Sequence, residues 1–311
     1  MKFLGAIDIG GTNIKFGLAS SAGAILSKSS LPYNPQMPFW ELANLICQQI
    51  ENLTKTSRVE INGIGISAPG YAHPQTGILL DGANNVPSLK GESLTLACRN
   101  YFNIPSFIEN DGICAALGEL LFGAGRSYKN FVVITLGTGI GGGVIIDRRI
   151  VKGVNNEPPE IGAICLNPNG PKNYSGIPGT FESLACASGI LELYQKLSGG
   201  KYTHKTIREI FLAAGAGEKA ASLTVDQIGQ YIAQALGIMI NLLNLEACII
   251  GGGISAAGNL LLEAVQKHLP SFTWPLLLKK VRILLAELGN DAGLLGAAAM
   301  ALRKIELDSL T

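Results

Sequence analysis

At 311 residues the chain is long for one domain, so two lobes are the better expectation. Its 47% apolar and 15% charged residues suit a globular α/β protein, and the net charge of +1 without a basic run excludes a nucleic-acid footprint. The 39 glycines follow no collagen-like period and must therefore sit in turns and close backbone approaches.

The chain opens with three strand-like segments, 3–7, 13–19 and 24–30. The first two flank Asp8-Ile9-Gly10-Gly11-Thr12-Asn13, which reads as a hairpin with a bare turn. Such a turn can aim backbone N–H groups at an anion, and an acid at its mouth tolerates phosphate only with a divalent cation between them. A structural hairpin with an Asp at its shoulder is the plainer alternative. A helix is expected from Phe39 to Thr54, with Leu42, Leu45, Ile46 and Ile50 at helical spacing. A buried strand, 61–66, ends at Ser67-Ala68-Pro69-Gly70; 87–91 reads as loop and 94–102 as helix. A short strand, 105–108, leads into Glu109-Asn110-Asp111-Gly112 and a helix from Ile113 to Phe122, which Asp111 would cap.

The opening plan then repeats. Phe131 to Leu136, a turn at Gly137-Thr138-Gly139 and a strand through Ile146 align Ile7 with Ile134 and Gly10 with Gly137, as a duplicated core would. The Gly137-x-Gly139-x-x-Gly142 spacing matches a dinucleotide fingerprint on paper, but strand rather than helix follows it, which rejects that reading. Residues 151–180 are loop-rich in proline and glycine, and helices dominate from Phe181 to Leu245. A third glycine turn, Gly251-Gly252-Gly253-Ile254, links a strand to a helix over 259–269, whose N-terminus could hold a phosphate or ribose. A strand at 281–286 and a helix at 291–304 close the pattern. Strands alternating with helices argue for α/β architecture.

Other chemistries have little to build on. Cys47, Cys98, Cys114, Cys165, Cys186 and Cys248 form no Cys-x-x-Cys pair and read as reduced thiols. His73, His204 and His268 are far apart in sequence. Met1-Lys2 runs straight into a strand, so no signal peptide is expected, and no apolar run approaches a bilayer span. A cytoplasmic protein with no membrane partner is the expectation.

Taken in order, these motifs resemble those of the ROK family (repressors, open reading frames and kinases) along nearly the whole chain. The resemblance implies a two-lobed actin-like ATPase/hexokinase (ribonuclease H-like) fold with a duplicated core and an inter-lobe cleft. Its lobes would be 1–112 plus 293–311, and 113–292. It implies ATP and magnesium as cofactors and a small-molecule sugar as substrate, and it allows a homodimer. No counterpart of the repressor branch's N-terminal DNA-binding extension is expected.

Residue by residue, the resemblance makes Asp111 the general base for the attacking hydroxyl. Ser67, Gly70, Asn84, Asn85, Asn110, Asp111, Glu160 and Glu182 would form the sugar pocket. Gly10, Gly11, Thr12, Asn13, Gly137, Thr138 and Gly139 would cradle phosphates, with Lys15 as charge support or simply a solvated strand residue. Gly251, Gly252, Gly253 and Ile254 would meet the adenosine, and Asp8 would hold magnesium through water. The implied reaction is phosphorylation of a hexose, foremost glucose at its 6-hydroxyl. The alternatives are fructose or an N-acetylhexosamine as acceptor, polyphosphate as donor, or a non-catalytic sugar sensor.

One departure from the family pattern stands out. The family's Glu-x-Gly-His and Cys-x-Cys-Gly-x-x-Gly-Cys-x-Glu carry a structural zinc. Here Ala163 follows Glu160-Ile161-Gly162, and the later segment reads Asn173-Tyr174-Ser175-Gly176-Ile177-Pro178-Gly179-Thr180-Phe181-Glu182. The glycines and final glutamate stay while all four zinc ligands are replaced, so no zinc is expected. Pro168, Pro171 and Pro178 would stiffen the loop instead.

Overall fold

In the computed structural model, which describes residues 1–173, 175–200 and 206–308, two five-stranded sheets repeat one topology. The chain begins with β1 (Phe3–Ile9), β2 (Asn13–Ser20), β3 (Ile25–Pro32), α1 (Phe39–Ser57) and β4 (Gly63–Ala68). It continues through β5 (Tyr71–Ala72), β6 (Leu79–Asp81), α2 (Leu94–Phe102), β7 (Ser106–Asn110) and α3 (Asp111–Phe122). The second half holds β8 (Phe131–Leu136), β9 (Ile140–Ile146), β10 (Arg149–Ile150), α4 (Phe181–Ala185), α5 (Ala187–Leu197), α6 (Ile207–Gly215) and α7 (Lys219–Leu243). It ends with β11 (Ala247–Gly251), α8 (Asn259–His268), α9 (Pro275–Leu278), β12 (Arg282–Leu285) and α10 (Ala292–Asp308).

The first sheet runs β3-β2-β1-β4-β7 and the second β10-β9-β8-β11-β12. In each, an antiparallel hairpin is followed by two parallel strands: β1 pairs with β2 and β4, and β8 with β9 and β11. Ile7 opposite Phe16 and Ile134 opposite Gly142 occupy matching registers. The duplication inferred from the glycine hairpins is therefore a duplication of the whole sheet.

The chain divides into two compact units. One comprises Met1–Arg126, Ile150–Pro159 and Asn290–Thr311; the other comprises Ser127–Arg149 and Glu160–Gly289. The division falls after Arg126 rather than after residue 112 because α3 packs against α10, which itself covers β1 and β4. In the first unit, Leu42, Ile46 and Ile50 of α1 form a core with Ile64 and Ile66 of β4. Burying each such side chain is worth about 1.5–3 kcal/mol. The alternation of β4 turns Gly65 the other way, onto the Ala297 backbone of α10. In the second unit, α7 buries Val225, Ile228, Ile232 and Leu236 together with Val132 and Ile134 of β8.

Element ends differ from expectation where capping decides them. Helix α1 runs on to Ser57 and stops at Arg58, whose left-handed backbone (φ 54°) returns its N–H to Thr54. Helix α3 starts at Asp111, not Ile113. A 3-10 turn, Gly253–Ala257, stands between β11 and α8, so the third glycine turn does not open directly onto the helix. Another, Pro87–Leu89, occupies part of the expected loop. All six cysteines are free, five of them buried and Cys165 exposed. No helix among the described residues is long and apolar enough to cross a membrane. Tyr174, His204, the 201–205 part of the helical stretch and the terminal residues 309–311 lie outside the described residues.

Candidate active site

In the first unit the candidate side chains gather at the carboxyl ends of the parallel strands, where loops follow the sheet. Asp8, near the end of β1, accepts from Ser67 Oγ of β4 through Oδ1 (2.9 Å) and pairs with Lys15 Nζ through Oδ2 (3.3 Å). Lys15 also donates to the Asn290 carbonyl (3.1 Å), so it is not simply a solvated strand residue. The turn beyond is held by Gly10 N donating to Asn13 O (2.9 Å), which leaves Gly11, Thr12 and Asn13 exposed. Asn85 lies against Gly11, where an added Cβ would stand 3.0 Å from the Asn85 Cβ. Asn84 is exposed beside it.

At the end of β7, Asn110 rather than Asp111 is the helix cap. Its Oδ1 accepts from Gly112 N (2.9 Å) and Ile113 N (3.2 Å), and its Nδ2 donates to the Gly70 carbonyl (2.9 Å). The physical reason is backbone conformation. Asn110 has the extended ψ (142°) of a cap, while Asp111 is already helical. Asp111 keeps one oxygen near its own turn, with Oδ1 accepting from Gly112 N at 2.8 Å. Asn110 therefore has a donor hydrogen, not its carbonyl oxygen, to offer a ligand.

Sequence reading missed Lys152. From the segment 150–159 its ammonium pairs with the buried Glu109 carboxylate and donates to Asn156 Oδ1 (3.0 Å). The other Glu109 oxygen accepts from Asn110 N (3.0 Å). The available signal was weak: one lysine in a loop otherwise read only for its prolines and glycines.

In the second unit, the Gly137–Gly139 turn mirrors the first, with Gly137 N donating to Gly139 O (3.0 Å) and Thr138 and Gly139 exposed. Glu182, on the first turn of α4, joins it: Oε2 accepts from Ile140 N at 2.9 Å. Glu160 leaves part of its side chain exposed. Partial burial of its carboxyl, with the Glu182 charge nearby, still pushes its pKa above the usual carboxylate range. Gly252 has φ +83° and lies so close to Leu136 that an added Cβ would stand 2.3 Å from the Leu136 carbonyl oxygen. The expected adenosine turn thus abuts the second hairpin, with Gly253 open beside it and Ile254 buried. A pocket of about 240 Å³ is lined by Thr138, Lys172, Asn173, Glu182, Ser183 and their neighbours.

The loop that replaces the zinc motif is closed by hydrogen bonds. Asn173 Oδ1 accepts from Ser175 N (3.0 Å), Ser175 Oγ (2.6 Å) and Ile177 N (3.2 Å), and Gly179 N donates to the Pro171 carbonyl (2.7 Å). Cys165 Sγ donates to the Pro178 carbonyl (3.2 Å). Among the described residues no group of three or more His, Cys, Asp or Glu side chains is placed to hold a metal. Magnesium needs less, since it keeps several waters and takes one or two carboxylates plus substrate phosphates. Asp8 beside an exposed glycine turn fits that requirement, since each of its oxygens keeps a lone pair after accepting from Ser67 or Lys15.

Paired sheets of this topology, each with a phosphate-type hairpin, define the actin-like ATPase fold of sugar kinases. The ROK family model matches residues 4–304, and the chain belongs to the ROK family. A glucokinase of Halalkalibacterium halodurans is 34% identical over 307 residues, covering 93% of this chain and 92% of the relative. A beta-glucoside kinase of Listeria monocytogenes is 30% identical, covering 94% and 95%. Among solved structures, a ROK family glucokinase from Streptomyces griseus in complex with glucose and AMPPNP is similar at a TM-score of 0.82. It is 27% identical, with 97% of this chain and 99% of that one covered.

Proposed function

We propose that the protein transfers the γ-phosphoryl group of ATP to a hexose hydroxyl, foremost the 6-hydroxyl of glucose. The observation that carries this reading is Asp111 on the first turn of α3, at the end of a sheet whose neighbouring strand ends place Asp8 beside a bare glycine turn. Similarity to a glucokinase solved with glucose and AMPPNP supports it.

Phosphoryl transfer passes through a loose transition state, so positioning and charge neutralisation supply most of the rate. Asp111 orients the attacking hydroxyl and accepts its proton as the bond to phosphorus forms. On the acceptor side, Asn85 and the free amide hydrogen of Asn110 would hold sugar hydroxyls, with Ser67, Gly70 and Asn84 around them, and in the second unit Glu160 and the unshared oxygen of Glu182 would hold others. The exposed amides of the Gly10–Thr12 and Gly137–Gly139 turns receive the phosphates, and Gly251–Ile254 the adenosine. Asp8 would hold magnesium through water; bound there, the ion would neutralise charge on the transferred group.

An acceptor other than glucose is the second reading. Ala163 in place of the family histidine favours it by removing a hydroxyl contact, and the beta-glucoside kinase relative agrees with it. The test is ADP release with ATP and magnesium across hexoses, N-acetylhexosamines and β-glucosides, repeated with polyphosphate as donor. Glucose-dependent ADP release supports the first reading, and turnover confined to another sugar the second. Sugar binding without turnover on either donor would leave a sensor.

A further inference from the structure

The Lys152–Glu109 pair lies outside every role described so far, yet it sits one residue from the cap and two from the proposed base. Glu109 is 8% exposed, and a carboxylate so buried requires a partner. Lys152 supplies it from 43 residues away in sequence. The segment around Lys152 is otherwise closed on itself: Gly153 N donates to Glu157 O (2.9 Å), Asn156 N to Gly153 O (3.0 Å), and Glu157 Oε2 accepts from Asn155 N (3.0 Å). Lys152 is thus the polar tether from this loop to β7.

The hydrogen bonds then form a relay. Lys152 fixes one oxygen of Glu109, the other oxygen takes the Asn110 N–H, and the Asn110 side chain caps α3 and grips the Gly70 carbonyl. Asp111 is the next residue. We propose that Lys152 is a positioning residue for the acceptor side of the site, acting through Glu109 and Asn110 on the direction in which Asp111 points. The proposal rests on Asp111 as the base. A salt bridge kept merely for stability would be a poor device, since apolar replacements of buried pairs are often no less stable. A charge that orients a catalytic group accounts for its burial at this spot, because misplacing such a group by about 1 Å can cost on the order of 100-fold in rate.

The test compares full-length wild type with Lys152→Met, Lys152→Arg and Asn156→Gly, the last keeping the left-handed backbone at φ 76° while removing an acceptor of Lys152. We expect Lys152→Met to lower kcat by roughly 10- to 100-fold and raise the sugar KM, with the ATP KM within about twofold. Lys152→Arg should recover most of the loss. Amide exchange at Gly112 and Ile113, which donate to Asn110, should quicken in Lys152→Met and, to a smaller extent, in Asn156→Gly. Equal losses in Met and Arg variants, or unchanged kcat and exchange in folded Lys152→Met, would overturn the proposal. If Lys152→Met does not fold, unchanged kcat and exchange in Asn156→Gly overturns it. A wild type that turns over no sugar would defeat the kinase reading instead, and the exchange measurements would still decide the role of Lys152.

Discussion

Alanine at Gly293 would press directly on Asp8. A Cβ built there stands 2.3 Å from the Asp8 Cγ and Oδ2 and 2.4 Å from Oδ1, where ordinary contact begins at 3.4 Å. The shortfall of about 1 Å cannot be absorbed by a flexible tip, because Asp8 has only two side-chain torsions. Turning the carboxylate away breaks the bond from buried Ser67, worth about 1.5–3 kcal/mol for a charged acceptor. It also loosens the part-exposed Lys15 pair, worth about 0–1 kcal/mol. The helix propensity of alanine over glycine returns up to about 1 kcal/mol. The net expectation is a loss of about 1–3 kcal/mol, or a fall in Tm of roughly 2–5 °C for a chain of this size. Denaturant midpoints measure it, with Gly215→Ala as control, since nothing stands within 4 Å of a Cβ at that α6 residue. Turnover should fall in Gly293→Ala beyond any loss of folded protein. Equal or greater stability than wild type, with full turnover, would refute the close approach of α10 to Asp8.

Two further outcomes follow from the second unit. Glu160 has its pKa raised by burial and then by Glu182, so it protonates at a higher pH than a free carboxylate. If the charged form receives the sugar, affinity is highest above that raised pKa and falls as pH drops through it. Glu182→Gln should move this limb to lower pH and Glu160→Gln should abolish it, as read by calorimetry; a limb unmoved in both would contradict the assignment. The sign for stability is the reverse, since the native state of such a group binds protons more readily and loses stability as pH rises. The loop around Asn173 is held by hydrogen bonds from Ser175 and Ile177 and no zinc is expected in it, so EDTA should leave the Tm unchanged, whereas elemental analysis giving near one zinc per chain would refute that expectation.

Much of the fold was legible because local chemistry and tertiary structure agree. Apolar strands around glycine turns at residues 10 and 137 specify hairpins, and their repetition announced the duplicated sheet. What stayed hidden depends on contacts distant in sequence. The pairing of Lys152 with Glu109, the approach of Gly293 to Asp8 and the packing of α3 on α10 have no local periodicity to reveal them. The cap at the end of β7 was misread for a subtler reason. Asn110 and Asp111 are both good caps by residue type, and only the backbone conformation chooses between them. In the site, the residue types pointed to the chemistry, while the partners holding each side chain came from the structure.

The central claim is that Asp111 is the base of a sugar phosphotransferase. Its most direct test is turnover of Asp111→Ala beside wild type with the preferred sugar, ATP and magnesium, with sugar affinity measured on the same preparations. The account predicts a fall in kcat of about 100- to 10,000-fold, with sugar binding retained within about tenfold. Wild-type turnover in Asp111→Ala would contradict it.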